Sequence, residues 1–196
     1  MRRYNNYDKA KVITETERLP IGGYVCKILN VEYQDNSSRG YNDNIILSFD
    51  IAEGEYKDFY AKQYRNQQTE DKKWKGNFRM RCAEDDGSEQ DGWTMNRFKT
   101  NIHAFEESNK GFTWNWEEQT LKGKLIGIVF NNKEWEMNGR SGFYTNAHHL
   151  VSVEDIRNGK FKIPADQLLE NRNGGLSDEG FMDIPDSVDD DALPFN

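Results

Sequence analysis

Alternating apolar and polar residues predict strands in the first part of the chain. Behind a Leu-Pro-Ile-Gly-Gly turn signal, alternation over residues 24–33 predicts a long first strand. Residues 45–51 are mostly apolar and predict a second strand, and residues 59–65 alternate less regularly and predict a third. A polar insertion then covers residues 66–92, with one short extended piece of its own at 77–82.

One helix and two further strands are predicted in the second part. An apolar stripe with spacings of three, four and three residues predicts an amphipathic helix. The members of this stripe are Met95, Phe98, Ile102 and Phe105. We expect Thr94 to be the N-cap and Asn109-Lys110-Gly111 to end the helix. Extended segments follow at 124–136 and 142–153, and the Asn138-Gly139 pair between them is typical of a tight hairpin turn.

This order of elements predicts the fold class. Three strands, a helix and two strands is the order of a five-stranded OB-fold barrel, a mostly all-β fold with its helix between the third and fourth strands. We therefore expect an N-terminal extension at residues 1–18, an OB-type domain at 19–173 and a tail at 174–196. A short helix or turn followed by an extension is expected at 154–173.

Charge is distributed unevenly along the chain. The 196 residues carry 26 basic and 34 acidic side chains, which gives a net charge of −8. Seven of the acids and none of the bases lie in residues 174–196, so the rest of the chain has a net charge of only −1. Because this segment is also poor in large apolar residues, we expect an acidic, disordered C-terminal tail.

Residues 57–82 have the opposite character, with eight bases against three acids and several interleaved aromatic rings. Binding of single-stranded nucleic acid needs this mixture, because cations follow the phosphates while bases stack on flat rings. Trp74 has few apolar neighbours in sequence, so we expect it to be an exposed stacking residue. Arg79 and Arg81 share a face if residues 77–82 are extended. The alternative interpretation is a solvated face of lysines, with Phe59, Phe78 and Trp74 in the core.

The last two strands carry further rings. Every second side chain of these strands faces the core, so only some of the rings are free to stack on bases. Trp114 and Trp116, which follow the helix, are assigned a structural role. The predicted nucleic-acid-binding residues are Tyr60, Lys62, Tyr64, Arg65, Lys72, Lys73, Trp74, Lys75, Phe78, Arg79, Arg81, Trp135 and Tyr144.

The C-terminal end reads Asp189-Asp190-Asp191-Ala192-Leu193-Pro194-Phe195-Asn196 and combines acids with a small apolar anchor. The acids steer the segment toward a basic patch, and the proline limits the entropy lost on docking. Here the chain resembles bacterial single-stranded DNA-binding proteins, whose acidic tails end in Pro-Phe and dock on replication and repair enzymes. Asn196 is a departure, since that family usually ends on Phe. The resemblance implies partner docking through Asp189, Asp190, Asp191, Leu193, Pro194 and Phe195.

Three stretches of the body are similar to a family of small phage and mobile-element proteins of Firmicutes. They are Leu-Pro-Ile-Gly-Gly-Tyr-Val-Cys-Lys-Ile-Leu from Leu19, Phe-Asp-Ile-Ala-Glu-Gly-Glu-Tyr from Phe49, and Ser-Val-Glu-Asp-Ile-Arg-Asn-Gly-Lys-Phe-Lys-Ile-Pro from Ser152. That family is regarded as single-strand-binding-like. The resemblance implies non-catalytic, largely sequence-independent binding of single-stranded DNA in phage or mobile-element replication and recombination.

Two other function classes stay open. Asp50, Glu55 and Lys57 fit the short D…ExK pattern of nucleases, in which two carboxylates hold Mg²⁺ and the lysine assists the attacking water. The other interpretation of these acids is a solvated turn. A protein-interaction or inhibitor domain, whose barrel and tail both contact proteins, is the third class. His148 and His149 are neighbours on a predicted strand and are expected on opposite faces, which disfavours a shared metal ion.

The remaining signals concern location and partners. Cys26 and Cys82 are too few and too isolated for a disulfide framework or a zinc knuckle. Without a signal peptide or a membrane-spanning apolar run, we expect a cytoplasmic protein with no membrane partner. We expect no cofactor and no enzymatic activity, since no nucleotide-binding or catalytic-triad motif is present. The expected partners are single-stranded DNA and, through the tail, replication and repair proteins, and a homo-oligomer is possible.

Overall fold

A computed structural model describes residues 18–169 together with Tyr7. Within these residues, five strands form one antiparallel sheet and three α-helices pack around it. The strands are β1 Gly22–Gln34, β2 Asn44–Ile51, β3 Asn77–Arg81, β4 Leu125–Met137 and β5 Arg140–Val151. The helices are α1 Phe59–Asn66, α2 Glu89–Ser108 and α3 Val153–Arg157. The protein is therefore mostly β, as the sequence predicts.

The strands lie in the order β3-β2-β1-β4-β5. The first half of the central strand β1 pairs with β4, and its second half pairs with β2. The edge strands β3 and β5 approach until some of their Cα atoms are within 8 Å, but no ladder of hydrogen bonds joins them in the described part of the chain. The sheet thus curves back on itself without closing into a barrel.

One face of the curved sheet holds the core. The register pairs Ile28 with Phe49 and Leu47 with Phe78, and all four side chains are buried. Because side chains alternate along a strand, the residues between them point to the outer face. Helix α2 adds Phe105 to the same core. The outer face is therefore where charged side chains of the strands collect.

The sequence predicts that residues 59–65 form the third strand. In the structure they belong to helix α1. Phe59 and Tyr60 are neighbours and both are buried, a pattern that a strand with alternating faces does not produce. The carboxylate of Asp50 accepts the backbone N–H groups of Tyr60 and Ala61 at 2.9 and 3.0 Å. Two N–H groups that the first turn of a helix leaves unpaired are thereby satisfied.

The third strand of the sheet is β3, which the sequence predicts only as a short extended piece in an insertion. Phe78 and Met80 point into the core, and Arg79 and Arg81 alternate with them. The segment before β3 continues along β2, since Phe49 N donates to Gly76 O at 2.7 Å. The insertion therefore leads directly into the sheet.

The remaining predicted elements agree with the structure except at one boundary. Helix α2 begins earlier than predicted, at Glu89. Its N-cap is Ser88, whose hydroxyl accepts the N–H of Asp91 at 3.1 Å, and not Thr94. It ends before Asn109, as predicted. The Asn138-Gly139 turn between β4 and β5 is confirmed, with φ angles of 52° and 74° that suit these two residues. No described helix combines the length and apolar character that crossing a membrane requires.

Helix α3 covers the outer face where β1 pairs with β4. Two glycines permit this close packing. A Cβ atom added at Gly127 would lie 2.5 Å from Ile156 Cγ1 and 2.8 Å from Ser152 O, and one added at Gly23 would lie 2.6 Å from Ile156 Cδ1. In the strand order, β2 and β3 lie beyond β1, away from β4.

Candidate nucleic-acid interface

The outer face of β3 presents two cations. Arg79 is exposed and Arg81 half-buried, and they share one face, as predicted for an extended segment. The register places Ile46 of β2 beside Arg79, and Glu32 of β1 lies on the other side of Ile46. The row across the three strands is thus a cation, an apolar side chain and an acid.

Two rings of the predicted binding set lie in the core. Phe78 is only 6% exposed and Tyr60 only 7%. The Tyr60 ring meets the Phe49 ring edge-on, with 5.4 Å between centroids, and burial raises the pKa of its hydroxyl well above the usual value. Neither ring offers a face to a base. The prediction for these two residues is wrong, because sequence alone does not show which side of β3 and α1 faces inward.

Trp74 is not the exposed stacking residue that the sequence predicts. Its side chain packs against the core, and its indole N–H donates to Phe49 O at 3.2 Å and to Gly76 O at 3.1 Å. The ring of Tyr64 lies 5.9 Å from it, centroid to centroid, and Tyr64 is 37% exposed. The ring accessible here is therefore Tyr64, with Trp74 as its support.

The predicted lysines follow the loop between α1 and β3. Lys72 Nζ donates to Arg65 O at 3.1 Å and lies 6.0 Å from the centroid of Tyr64. The side chain of Gln67 accepts from Lys73 N at 2.8 Å and donates to Lys73 O at 2.7 Å, which fixes the shape of the loop. We call helix α1, this loop and the outer face of β3 the cationic surface. Its basic residues are Lys62, Arg65, Lys72, Lys73, Lys75, Arg79 and Arg81.

The hairpin of β4 and β5 brings the other two predicted rings together. Lys133 pairs with Tyr144, and Trp135 pairs with Gly142, so Lys133, Trp135 and Tyr144 share one face of the hairpin. A Cβ atom at Gly142 would lie 3.1 Å from Trp135 Nε1, so the indole covers this glycine. Sequence reasoning missed Lys133, although counting residues back from the hairpin turn would have found it.

The three residues of the nuclease pattern have different environments. Asp50 is buried, and its two oxygens accept backbone N–H groups of Ile51, Tyr60 and Ala61 at 2.8–3.0 Å. Glu55 and Lys57 are exposed in the turn that follows. Within residues 18–169, no three His, Cys, Asp or Glu side chains converge as metal ligands would. The geometry therefore gives Asp50 a structural task at the beginning of α1.

His148 and His149 contact each other and do not point to opposite faces as expected. A β-bulge accounts for this, since the register shift leaves His148 as an extra residue between Ala147 and His149. The two Nδ1 atoms come within 3.0 Å. Burial, and then the nearby charge of Arg97, lowers the pKa of His149.

The two tryptophans that follow α2 have different roles. Trp114 is half-buried, and its ring meets Phe98 of α2 at 6.2 Å, so its structural assignment agrees with the structure. Trp116 is 81% exposed, and its φ angle of 66° lies in the left-handed region. That conformation costs a residue with a Cβ atom roughly 1–2 kcal/mol. The structural assignment of Trp116 is wrong. Polar neighbours in sequence do not decide exposure, since Trp74 also has them and packs against the core.

The described chain ends on the hairpin. Gln167 N donates to Asn132 O and Glu134 N donates to Gln167 O, both at 2.9 Å, and Leu169 N donates to a carboxylate oxygen of Glu134 at 3.1 Å. The N-terminal extension, apart from Tyr7 and Arg18, and the acidic tail lie outside the described residues. Partner docking through the tail residues 189–195 therefore stays a prediction.

Comparisons with known proteins do not identify a family. A scan against models of protein families finds no match, and a search of curated proteins finds none either. The function must therefore be argued from the geometry and charge of this chain.

Proposed function

We propose that the protein binds single-stranded DNA, without marked sequence preference, through the cationic surface and the ring-bearing face of the β4–β5 hairpin. The observation that carries this proposal is the outward pair Arg79 and Arg81 on β3, which continues the lysine-rich loop. The resemblance to phage and mobile-element proteins supports a role in DNA replication or recombination.

The topology supports an OB-like fold. The strand order β3-β2-β1-β4-β5, with α2 between β3 and β4 and with β3 near β5, is what an OB barrel gives when opened along one seam. OB folds bind oligonucleotides on the face of strands 2 and 3 and with the loops that follow strands 1 and 4. In this chain, the corresponding face carries Arg79 and Arg81, and the hairpin carries Trp135 and Tyr144.

The charge and the rings match a single strand better than a duplex. Fixed cations neutralise phosphates and release condensed counterions, which supplies affinity for any sequence. Exposed rings such as Tyr64 provide faces for bases, which are accessible only where the strand is unpaired. The core positions of Tyr60 and Phe78 reduce the number of rings but leave the cations of β3 in place.

The test is a fluorescence titration of the full chain with oligo-dT at several salt concentrations. For the wild type, we expect a linear fall of log affinity with log salt concentration. The double variant Arg79→Gln, Arg81→Gln should reduce the slope by about 0.7 for each phosphate that is no longer neutralised. The matched control, Lys160→Gln with Lys162→Gln, removes two exposed lysines beside α3 and should leave the slope unchanged. Salt-independent binding, or an equal loss in the control, would contradict the proposal.

A further inference from the structure

The β4–β5 hairpin extends beyond β1, and the two edges of its tip differ. On the β4 side, Asn132 O accepts from Gln167 N and Glu134 N donates to Gln167 O, both at 2.9 Å. Asn132 and Glu134 therefore point away from β5. In an antiparallel ladder, two directly opposite residues either both face each other or both point outward. Their partners on β5, Thr145 and Phe143, consequently point away from β4.

The outward backbone groups of Ser141, Phe143 and Thr145 form a row along the edge of β5. Within the part of the chain that the structure describes, β5 pairs with β4 alone, and these N–H and C=O groups make no backbone hydrogen bond. Natural sheets protect such an edge with charge, proline or a covering segment. Residues 140–146 contain no proline and a single charge, that of Arg140. This edge is therefore suited to adding a strand.

The same hairpin already accepts an extended segment on its other edge. Gln167 forms a parallel bridge with Lys133, and the side chain of Asn132 donates to a carboxylate oxygen of Asp166 at 2.9 Å. The chain itself thus occupies the β4 edge of the tip, and the β5 edge is the one along which the sheet can grow.

We propose that the β5 edge pairs with the same edge of a second copy of this chain, about a twofold axis at Phe143. Identical strands related by such an axis run antiparallel, and each contributes the same surface. This register places Phe143 opposite Phe143 of the second copy and Ser141 opposite Thr145. The outward N–H and C=O groups of these three residues then bond across the axis.

The side chains in this register favour a second copy over other occupants. Phe143, which is 40% exposed, meets an identical ring, and Ser141 brings its hydroxyl beside that of Thr145. Cross-strand pairs of these kinds stabilise a sheet. Arg140 comes opposite Asn146, so no like charges face each other. The acidic tail suits this edge less, because it is rich in Asp, Gly and Pro, which are disfavoured in strands.

Sedimentation of the full chain at rising protein concentration, without DNA, measures the association. The contact is one short strand from each copy, so we expect reversible dimerisation of the wild type. Phe143→Lys opposes two lysines on the axis and should keep the protein monomeric. The matched control, Tyr41→Lys, replaces a ring that is 54% exposed outside the hairpin and should dimerise like the wild type. A wild type that stays monomeric throughout, or a Phe143→Lys variant that dimerises equally well, overturns the proposal.

Engineered cysteines test the register in a Cys82→Ser background, which removes the half-buried native thiol. Phe143→Cys should form a disulfide between copies on oxidation, because Cα atoms of such a pair lie about 5.5 Å apart. Ser141→Cys should not cross-link to itself, since the two positions lie about 14 Å apart, four residues along the strand. Mixed with Thr145→Cys, it should cross-link. Cross-linking of Ser141→Cys alone, with none for Phe143→Cys, contradicts the register.

Amide hydrogen exchange distinguishes a second copy from a segment of the same chain. The N–H groups of Ser141, Phe143 and Thr145 should exchange quickly in the monomer and slowly once the dimer forms. Their protection in the monomer would show that residues 1–17 or the tail cover this edge, and dimerisation without their protection would show a different interface. Either result overturns the proposal. None of these measurements includes DNA, so they succeed or fail independently of the proposed function.

Discussion

Asp50 illustrates how the surroundings of one residue decide its role. In the sequence it begins a pattern typical of metal-dependent nucleases, and its neighbours Glu55 and Lys57 complete that pattern. In the structure its carboxylate is enclosed and holds three backbone N–H groups around the beginning of α1. The contact between β2 and α1 spans residues that no local pattern connects, so sequence reasoning had no signal for it.

Replacing Asp50 should therefore affect stability. We expect Asp50→Ala to lower the free energy of unfolding by roughly 1–3 kcal/mol, because buried N–H groups lose their acceptor. Urea denaturation at neutral pH measures this change. Glu55→Ala, which removes an exposed acid of the same pattern, is the control and should stay within about 0.5 kcal/mol of the wild type. Equal stability of the two variants would show that the helix does not depend on Asp50.

At the scale of elements, the position of α3 depends on residues without side chains. The helix approaches β1 and β4 so closely that Gly23 and Gly127 leave no room for a methyl group. Such a contact is specific, because the packed atoms include the backbone carbonyl of Ser152, which cannot rotate away.

A pair of identical substitutions tests this packing. Gly127→Ala should destabilise the protein by roughly 1–3 kcal/mol, since the added methyl group overlaps Ile156 and Ser152. Gly92→Ala, in α2, adds the same methyl group where no heavy atom lies within 4 Å apart from the adjacent backbone of its own helix. It should instead stabilise the protein by roughly 0.4–1 kcal/mol, because alanine favours the helix and restricts the unfolded chain. Thermal denaturation of both variants measures these changes. If both substitutions shift the melting temperature in the same direction, the close packing of α3 on Gly127 is refuted.

The elements also show what the sequence could predict. Strands β1, β2, β4 and β5, the apolar stripe of α2 and the hairpin turn all have strong local patterns, and each is present. Residues 59–65 form a helix and not the predicted strand because the carboxylate of Asp50 caps the first turn of that helix. The cleaner alternation at 77–82, with Phe78 and Met80 between arginines, was the better strand signal. Within the candidate site, the shared face of Arg79 and Arg81 was predictable, whereas the burial of Tyr60 depended on tertiary packing.

At the scale of the whole molecule, opposite charges occupy different segments. Residues 174–196 carry seven acids and no base, whereas the described domain carries the cationic surface. The described chain ends beside Glu134, next in sequence to Trp135 on the hairpin. A covalently attached acidic segment is always at a high effective concentration near this domain, so even weak contacts with the cationic surface would compete with DNA.

Deleting residues 174–196 tests the tail as a separate arm. We expect the truncated protein to keep its melting temperature, because it keeps the contacts that Gln167 and Leu169 make with the hairpin. Its affinity for oligo-dT should be equal or modestly higher, most visibly at low salt, where charges are least screened. Phe195→Ala in the full chain should abolish capture of replication or repair proteins, since this ring is the predicted apolar anchor. Loss of folding on truncation, or unchanged capture by the truncated protein, would contradict this role.

The open seam between β3 and β5 has a consequence for local motion. In the described chain, β2 is the one strand that pairs with β3, so the strand that carries Arg79 and Arg81 is among the least tethered parts of the sheet. Segments with few such bonds open more readily than the core, and their amide hydrogens exchange sooner. A DNA strand that spans β3, β2 and β1 would bind only while β3 is paired with β2, and it would therefore favour that paired state by mass action. Bound DNA would then slow amide hydrogen exchange in β3 more than in the centre of the sheet.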